Sequence, residues 1–238
     1  MKEFKILIGV MICYPLLLGT TYVIKEGELE VGRWEEKDGK DGVEIVENEK
    51  QAKNSLNPKP NLPAMLVIAD FDSGNAPNNV GGSFGAWDKD PDDKTQGCFL
   101  SFVADDALRN THGNAIRLDY DVDSPNKAYC GFWTKLNGLD ATAFNTINFY
   151  IRGDAAAGFS KNIKVELQDQ VTKANQRYHA VSVSGINGQW QKISIPLKNF
   201  TNISTRNQIM EFIILVNKEW VTSRKGAFYI DQIFFSKE

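Results

Sequence analysis

The sequence predicts an all-β fold, an antiparallel β-sandwich or barrel placed after an N-terminal apolar helix and a linker. Three observations predict it. Ala115–Asp121, Ala128–Leu136 and Thr146–Gly153 each carry apolar side chains at alternate positions, the period of a strand with one buried face. Further runs of this kind recur at short spacing, separated by Gly, Asn, Pro and Ser, with no long helical pattern between them, which is the signature of a sandwich or barrel. Aromatic residues make up 11% of the chain, with five Trp. That is ample ring surface for a packed core and excludes global disorder.

The 238 residues suffice for one large or two small domains. A formal charge of −3 lacks the basic footprint of a nucleic-acid surface, so no nucleic-acid partner is expected. Residues 1–24 open with Lys2 and Lys5, followed by an uncharged run from Ile6 to Ile24. A basic start before an apolar segment is the pattern of export. Pro15-Leu-Leu-Leu18 suits a signal core, and Gly19 and Thr21 can occupy the small-residue positions of a cleavage site, but no Ala-x-Ala follows. The run is also long enough to span a bilayer. Cleaved signal peptide and uncleaved membrane anchor therefore both stand. Either places the remainder outside the cytoplasm, as a periplasmic, extracellular or membrane-anchored protein. Lipid attachment at Cys13 is disfavoured by the bulky Ile12 before it.

Residues 25–63 crowd acidic and basic side chains together and end in Asn57-Pro-Lys-Pro-Asn-Leu-Pro63. Few large apolar groups are available there to offset ordering entropy, and the prolines favour an extended spacer. This segment reads as a flexible linker, with room for a strand or short helix over Glu26–Glu36. The domain proper, 64–238, begins with the apolar run Met65–Phe71. Ser73–Trp87 is rich in Gly and Asn and reads as a structured loop; Gly81-Gly82-x-x-Gly85 is a poor phosphate cradle, because no helix follows it.

Cys98–Ala104 reads as a strand and Asp105–Asn110 as one helical turn. Beyond the three central runs, Asn162–Asp169 alternates Ile163, Val165 and Leu167 against Lys164, Glu166 and Gln168. Gln176–Val183 and Gln189–Leu197 flank Ser184-Gly-Ile-Asn-Gly188, which carries hairpin turn chemistry. Glu211–Asn217 and Ala227–Phe235 complete the set, and the first and last strands are expected side by side. Cys98 and Cys130 read equally well as a disulfide or as two buried thiols.

Several stretches, in order, carry a family resemblance: Ile68-Ala-Asp-Phe-Asp72; Gly138-Leu-Asp140 before Ile147-Asn-Phe-Tyr-Ile-Arg-Gly153; Gln189-Trp-Gln-Lys-Ile-Ser-Ile-Pro-Leu197 with Phe200; and Ala227-Phe-Tyr-Ile-Asp-Gln-Ile-Phe-Phe235. The set resembles the galactose-binding-like jelly-roll domains. Its pattern is similar to family 11 carbohydrate-binding modules and complex I intermediate-associated protein 30 domains. The resemblance implies two packed antiparallel sheets, one of them ligand-binding. It also implies a structural Ca2+ where first and last strands meet, for which Asp70, Asp72 and Asp231 are the candidate ligands, since calcium takes several oxygens on a rigid support.

Binding a sugar takes an aromatic ring against its apolar C–H face and planar polar groups against its hydroxyls. Tyr129, Trp133, Tyr150, Arg152, Glu166 and Gln168 supply these groups on the outward sides of successive strands. Asn217 and Trp220 extend the set, Trp190 reads as a hairpin anchor, and Trp87 as a rim contact or loop anchor. The expected role is a non-catalytic carbohydrate-binding module with a glycan ligand. The alternative is that the same rings pack beneath other segments or bind a protein partner. Glu166 and Glu211 are the only strand glutamates that would suit glycoside hydrolysis, which needs paired carboxylates across a cleft. His112 and His179 accompany no nucleophile motif and no metal-ligand spacing.

Overall fold

The computed structural model describes residues 22–26, 29–37, 40–44, 65–104 and 113–237. They fall in two units, Met1–Asn61 and Leu62–Glu238. In the first unit, β1 (Tyr22–Glu26), β2 (Leu29–Lys37) and β3 (Lys40–Glu44) form an antiparallel sheet in that order. Tyr22 stands opposite Trp34, and Lys37 opposite Lys40. The segment read as a linker thus carries strands in its first part. In sequence, β2 and β3 are separated by Asp38-Gly39, the dipeptide two-residue hairpins favour. The apolar segment 1–24 lies outside the described residues except for 22–24, which open β1. The helical turn expected over 105–110 also lies outside them. Among the described residues, no helix is long and apolar enough to cross a membrane.

The second unit is the expected sandwich. Its strands are β4 (Met65–Ala69), β5 (Phe84–Asp88), β6 (Gly97–Ala104), β7 (Asn114–Asp121), β8 (Tyr129–Leu139), β9 (Thr146–Gly153), β10 (Asn162–Asp169), β11 (Ala180–Ser184), β12 (Gln191–Pro196), β13 (Ile209–Asn217) and β14 (Lys225–Ser236). A five-stranded sheet runs β11-β10-β13-β8-β5. A six-stranded sheet runs β12-β9-β14-β7-β6, with β4 also paired to β14. First and last strands do lie side by side: Phe235 faces Leu66, and β14 passes from β7 to β4 at a bulge where Gln232 takes φ +45°.

Alternation sends one side of each strand inward. Phe132 on β8, Phe149 on β9, Phe212 on β13 and Phe228 and Phe235 on β14 are fully buried. Phe149 and Phe212 meet edge to face across the two sheets at 5.7 Å, a favoured aromatic geometry. Tyr120 stacks on Phe228 and donates its hydroxyl to the Ser223 carbonyl. Burial pushes its phenol up to about 12.

Two connections depart from the sequence reading. Ser184–Gly188 does not close a hairpin. β11 pairs with β10 in one sheet and β12 with β9 in the other, so this loop crosses the end of the sandwich. Ile186 within it is buried and fixes the crossing. Six residues after β10 form a helix, α1 (Gln170–Asn175), begun by the Asp169 side chain accepting from the Thr172 amide, a side-chain N-cap.

The glycine- and asparagine-rich stretch after β4 is a tied loop, as expected, but its end is strand β5. Asn78 is its knot. The Asn78 amide donates to Thr134 Oγ1 and the Lys135 carbonyl, while its oxygen accepts from Val80 and Gly82. A Cβ at Gly82 would stand 1.9 Å from the Lys135 carbonyl oxygen, so only glycine permits this approach. The knot seats β5 along β8 as an edge strand.

Candidate functional site

The register of the five-stranded sheet arranges its outer face in rows. One row reads Glu166 on β10, Ile213 on β13, Trp133 on β8 and Gly85 on β5. The next toward the C-terminal end of β13 reads Lys164, Leu215, Gly131 and Trp87, and beyond it Asn217 stands opposite Tyr129. On the other side of the Trp133 row, Gln168, Glu211 and Lys135 align. Residues i and i+2 of a strand share a face, so Tyr129 and Trp133 do point the same way.

Trp133 lies against the edge strand. A Cβ at Gly85 would stand 3.3 Å from its Cζ2 and 3.4 Å from its Nε1, so the indole rests on bare backbone. The Lys135 ammonium sits 4.9 Å from the ring centroid, within cation–π range. Trp87 and Tyr129 meet edge to face at 5.6 Å. All three rings are half-buried. Trp220, 49% exposed, carries the Lys164 ammonium 3.4 Å from its ring centroid. An aromatic strip therefore runs over this face from the β5 edge, and Trp220 stands against Lys164 of β10.

Polar groups border the strip. Both Glu211 oxygens are held, by Lys135 Nζ at 2.5 Å and by Lys173 Nζ of α1 at 3.0 Å. The Glu211 hydrogen bond raises the Lys173 pKa. Gln168 Nε2 reaches Glu166 at 3.5 Å. Burial raises the Glu166 pKa, only partly opposed by Gln168 and Lys164. Glu166 and Glu211 thus share a face, but Glu211 is fixed in a double ion pair.

Of the ligand residues expected from sequence, the structure brings together Tyr129, Trp133, Glu166, Gln168 and Asn217. Tyr150 and Arg152 do not join them. β9 follows β8 in sequence but belongs to the other sheet, so its outward side is the opposite surface of the sandwich. Trp190 stands there too: the Arg152 guanidinium lies 5.7 Å from its ring centroid. The set also gains Lys135 and Lys173, which the sequence does not single out, along with Glu211, expected only as a hydrolysis carboxylate, and Trp87, expected as a rim contact or loop anchor. Lys135 and Glu211 follow from the register, and Lys173 from the unforeseen helix. Trp87 is brought in by β5, whose Phe84-Gly-Ala-Trp alternation was the available signal.

The candidate calcium ligands do not converge. Among the described residues, no group of three or more acidic, cysteine or histidine side chains is placed to hold a metal ion. Asp70 accepts from the Asn79 side chain at 2.6 Å and from the Asp72 amide at 3.2 Å. Asp231 is buried at the β14 bulge and accepts from the Gln232 amide. Cys98 and Cys130 are unlinked thiols; a hydrogen bond with Cys98, together with burial, pushes the Cys130 thiol up.

Residues 78–237 match the sequence profile of the family described as carbohydrate binding domain 30. Among solved structures, the family 11 carbohydrate-binding module from Clostridium thermocellum, in complex with a β-1,3-1,4-mixed-linked tetrasaccharide, is similar in fold. It is 15% identical over 73% of this chain and 95% of that one, with a TM-score of 0.52. The family 11 module of a cellulosomal cellulase of the same organism gives 15% identity over 73% and 95%, with a TM-score of 0.51. An exo-β-agarase is 14% identical over 74% of this chain and 25% of that one, with a TM-score of 0.54. No curated protein matches the chain.

Proposed function

Since the chain belongs to the carbohydrate binding domain 30 family, and is thus a carbohydrate-binding module, we propose that it grips its glycan on the outer face of the five-stranded sheet. The observation that carries this is Trp133, laid on the Gly85 backbone in a strip of partly open rings flanked by Glu166, Gln168 and Glu211. Rings of this kind take the C–H faces of successive sugars, and the bordering carboxylates and amide take hydroxyls. Mixed-linkage β-glucan is the first polysaccharide to try, because the family 11 module was solved with such a tetrasaccharide. Lys2, Lys5 and the apolar run after them support an exported module, secreted or held at a membrane.

Affinity electrophoresis through gels containing mixed-linkage β-glucan, xylan or agarose tests the reading. Saturable retardation in at least one of them, with matching heat on titration of its oligosaccharide, is the expected result. Free migration in all three and no heat would overturn it. The geometry adds a finer expectation. Gly85→Val puts side-chain carbon where the indole rests, so it should tilt Trp133 and weaken glycan binding about tenfold, or ~1.4 kcal/mol. Melting temperature should change little. Affinity electrophoresis and tryptophan fluorescence measure both effects, and full affinity in this variant would show that the ring's seat on β5 is immaterial.

A further inference from the structure

The outer face of the six-stranded sheet holds two arginines in neighbouring places with opposite fates. Register sets Arg152 of β9 beside Tyr229 of β14, and Tyr229 beside Arg117 of β7. Arg117 is saturated. Its Nε and Nη2 bond Asp119 at 2.8 to 3.1 Å. Its Nη1 bonds Asp154 and, at 2.9 Å, the Tyr229 hydroxyl, which itself donates to Asp154 at 3.0 Å.

Arg152 has none of this. Among the described residues it contacts rings only, with its guanidinium 4.4 Å from the Tyr229 centroid and 5.7 Å from that of Trp190. No carboxylate or carbonyl of the described residues accepts from it. Its Nε is buried without a partner, as is Trp190 Nε1, whereas its two terminal nitrogens are not sealed. Burying an unsatisfied donor is costly, and several cations of this domain do find acceptors: Lys135, Lys173, Arg117, Arg224 and Lys225 each pair with a carboxylate. The neighbouring carboxylate, Asp154, is committed to Arg117 and to the amides of Ala156 and Ala157.

We propose that Arg152 is the anchor of a second binding site, on the opposite surface from the aromatic strip, for the oxyanion of an acidic saccharide. A guanidinium placed against two rings presents the N–H donors of its unsealed end to solvent. That fork matches a carboxylate or sulfate in two parallel hydrogen bonds. The edges of Trp190 and Tyr229 offer ring surface for the sugar that carries the charge. A uronate carboxylate and a sulfate ester are the two sources of that oxyanion.

Isothermal titration of the full chain separates them, using tetragalacturonate, its methyl ester as uncharged control, and a sulfated carrageenan tetrasaccharide. The expected result is saturable binding of at least one acidic oligosaccharide and none of the ester. Arg152→Gln should weaken the acidic ligand by about tenfold or more, the worth of one charge-assisted hydrogen bond. Arg152→Lys, which keeps charge without the fork, should fall between, and serves alone if the glutamine variant does not fold. Trp133→Ala should leave this binding unchanged. No binding of either acidic oligosaccharide, equal binding of the ester, or unaltered affinity in a folded Arg152 variant would overturn the site. Each readout is independent of neutral-glycan retention on the opposite face.

Discussion

Trp133→Ala is expected to abolish polysaccharide retardation while leaving the fold intact. The indole stands at the middle of the strip, in the row that joins Glu166 and Ile213 to the β5 edge. Its seat on Gly85 fixes its plane before any ligand arrives, so little ordering entropy is lost on binding. Central, preset rings of this kind behave as hot spots, worth about 2 kcal/mol or more, or roughly thirtyfold in affinity. The core is untouched, because Cys130, Phe132 and Thr134 point inward from the same strand and are fully buried. Far-ultraviolet circular dichroism and melting temperature should therefore match the unaltered protein. Trp87→Ala and Tyr129→Ala should give smaller losses, since each ring of that edge-to-face pair also steadies the other. Full retardation of the Trp133 variant, in a gel that retards the unaltered chain, would remove the strip as the binding surface.

Much of this fold was legible because a half-buried strand writes its own pattern. Thr146–Gly153 and Asn162–Asp169 were readable end to end, each with one apolar side, broken in the second only by the terminal Asp169. Alternation tells which side of a strand meets the core. It does not tell which sheet the strand joins, since both sheets bury apolar residues against one shared core. That is why Tyr150 and Arg152 read as neighbours of Tyr129 and Trp133, yet stand on the opposite surface. The same limit turned Ser184–Gly188 into an expected hairpin, whereas β11 and β12 pair with different strands. β5 was obscured by its own function: Gly85, which gives the indole its seat, weakens the strand signal. The helix α1 has six residues and no apolar stripe of its own. Tertiary bonds rather than sequence period hold it, which no local pattern could announce.

The largest stability effect is expected at one of those bonds, Asp169. Its side chain is wholly buried. Oδ1 accepts from the Thr172 amide at 2.6 Å, and Oδ2 from the amides of Ser204 at 2.6 Å and Thr205 at 2.9 Å. One carboxylate thus starts α1 and pins the loop before β13 to the end of β10. Burial pushes its pKa up, but the bonds from Thr172, Thr205 and Ser204 outweigh it and leave the pKa below the ordinary 3.8. Asp169→Ala strands three backbone donors in the interior. A loss of about 4 kcal/mol is expected, within the range for breaking a buried charged network. Urea unfolding measures it, and a loss under about 1 kcal/mol would show the network to be dispensable.

The sign with pH follows from the lowered value. The stabilisation is complete above the unfolded pKa, near 3.8, and is lost as pH falls through the lower folded value. The gap between the unaltered chain and Asp169→Asn should therefore be constant at neutral pH and narrow only in strong acid. The consequence reaches the outer face of the five-stranded sheet. α1 carries Lys173 to Glu211, so freeing the helix releases one of the two ammonium groups that hold that carboxylate. Even the folded fraction of the Asp169 variant should then bind glycan more weakly, by a few-fold, because Glu211 is left to Lys135 alone.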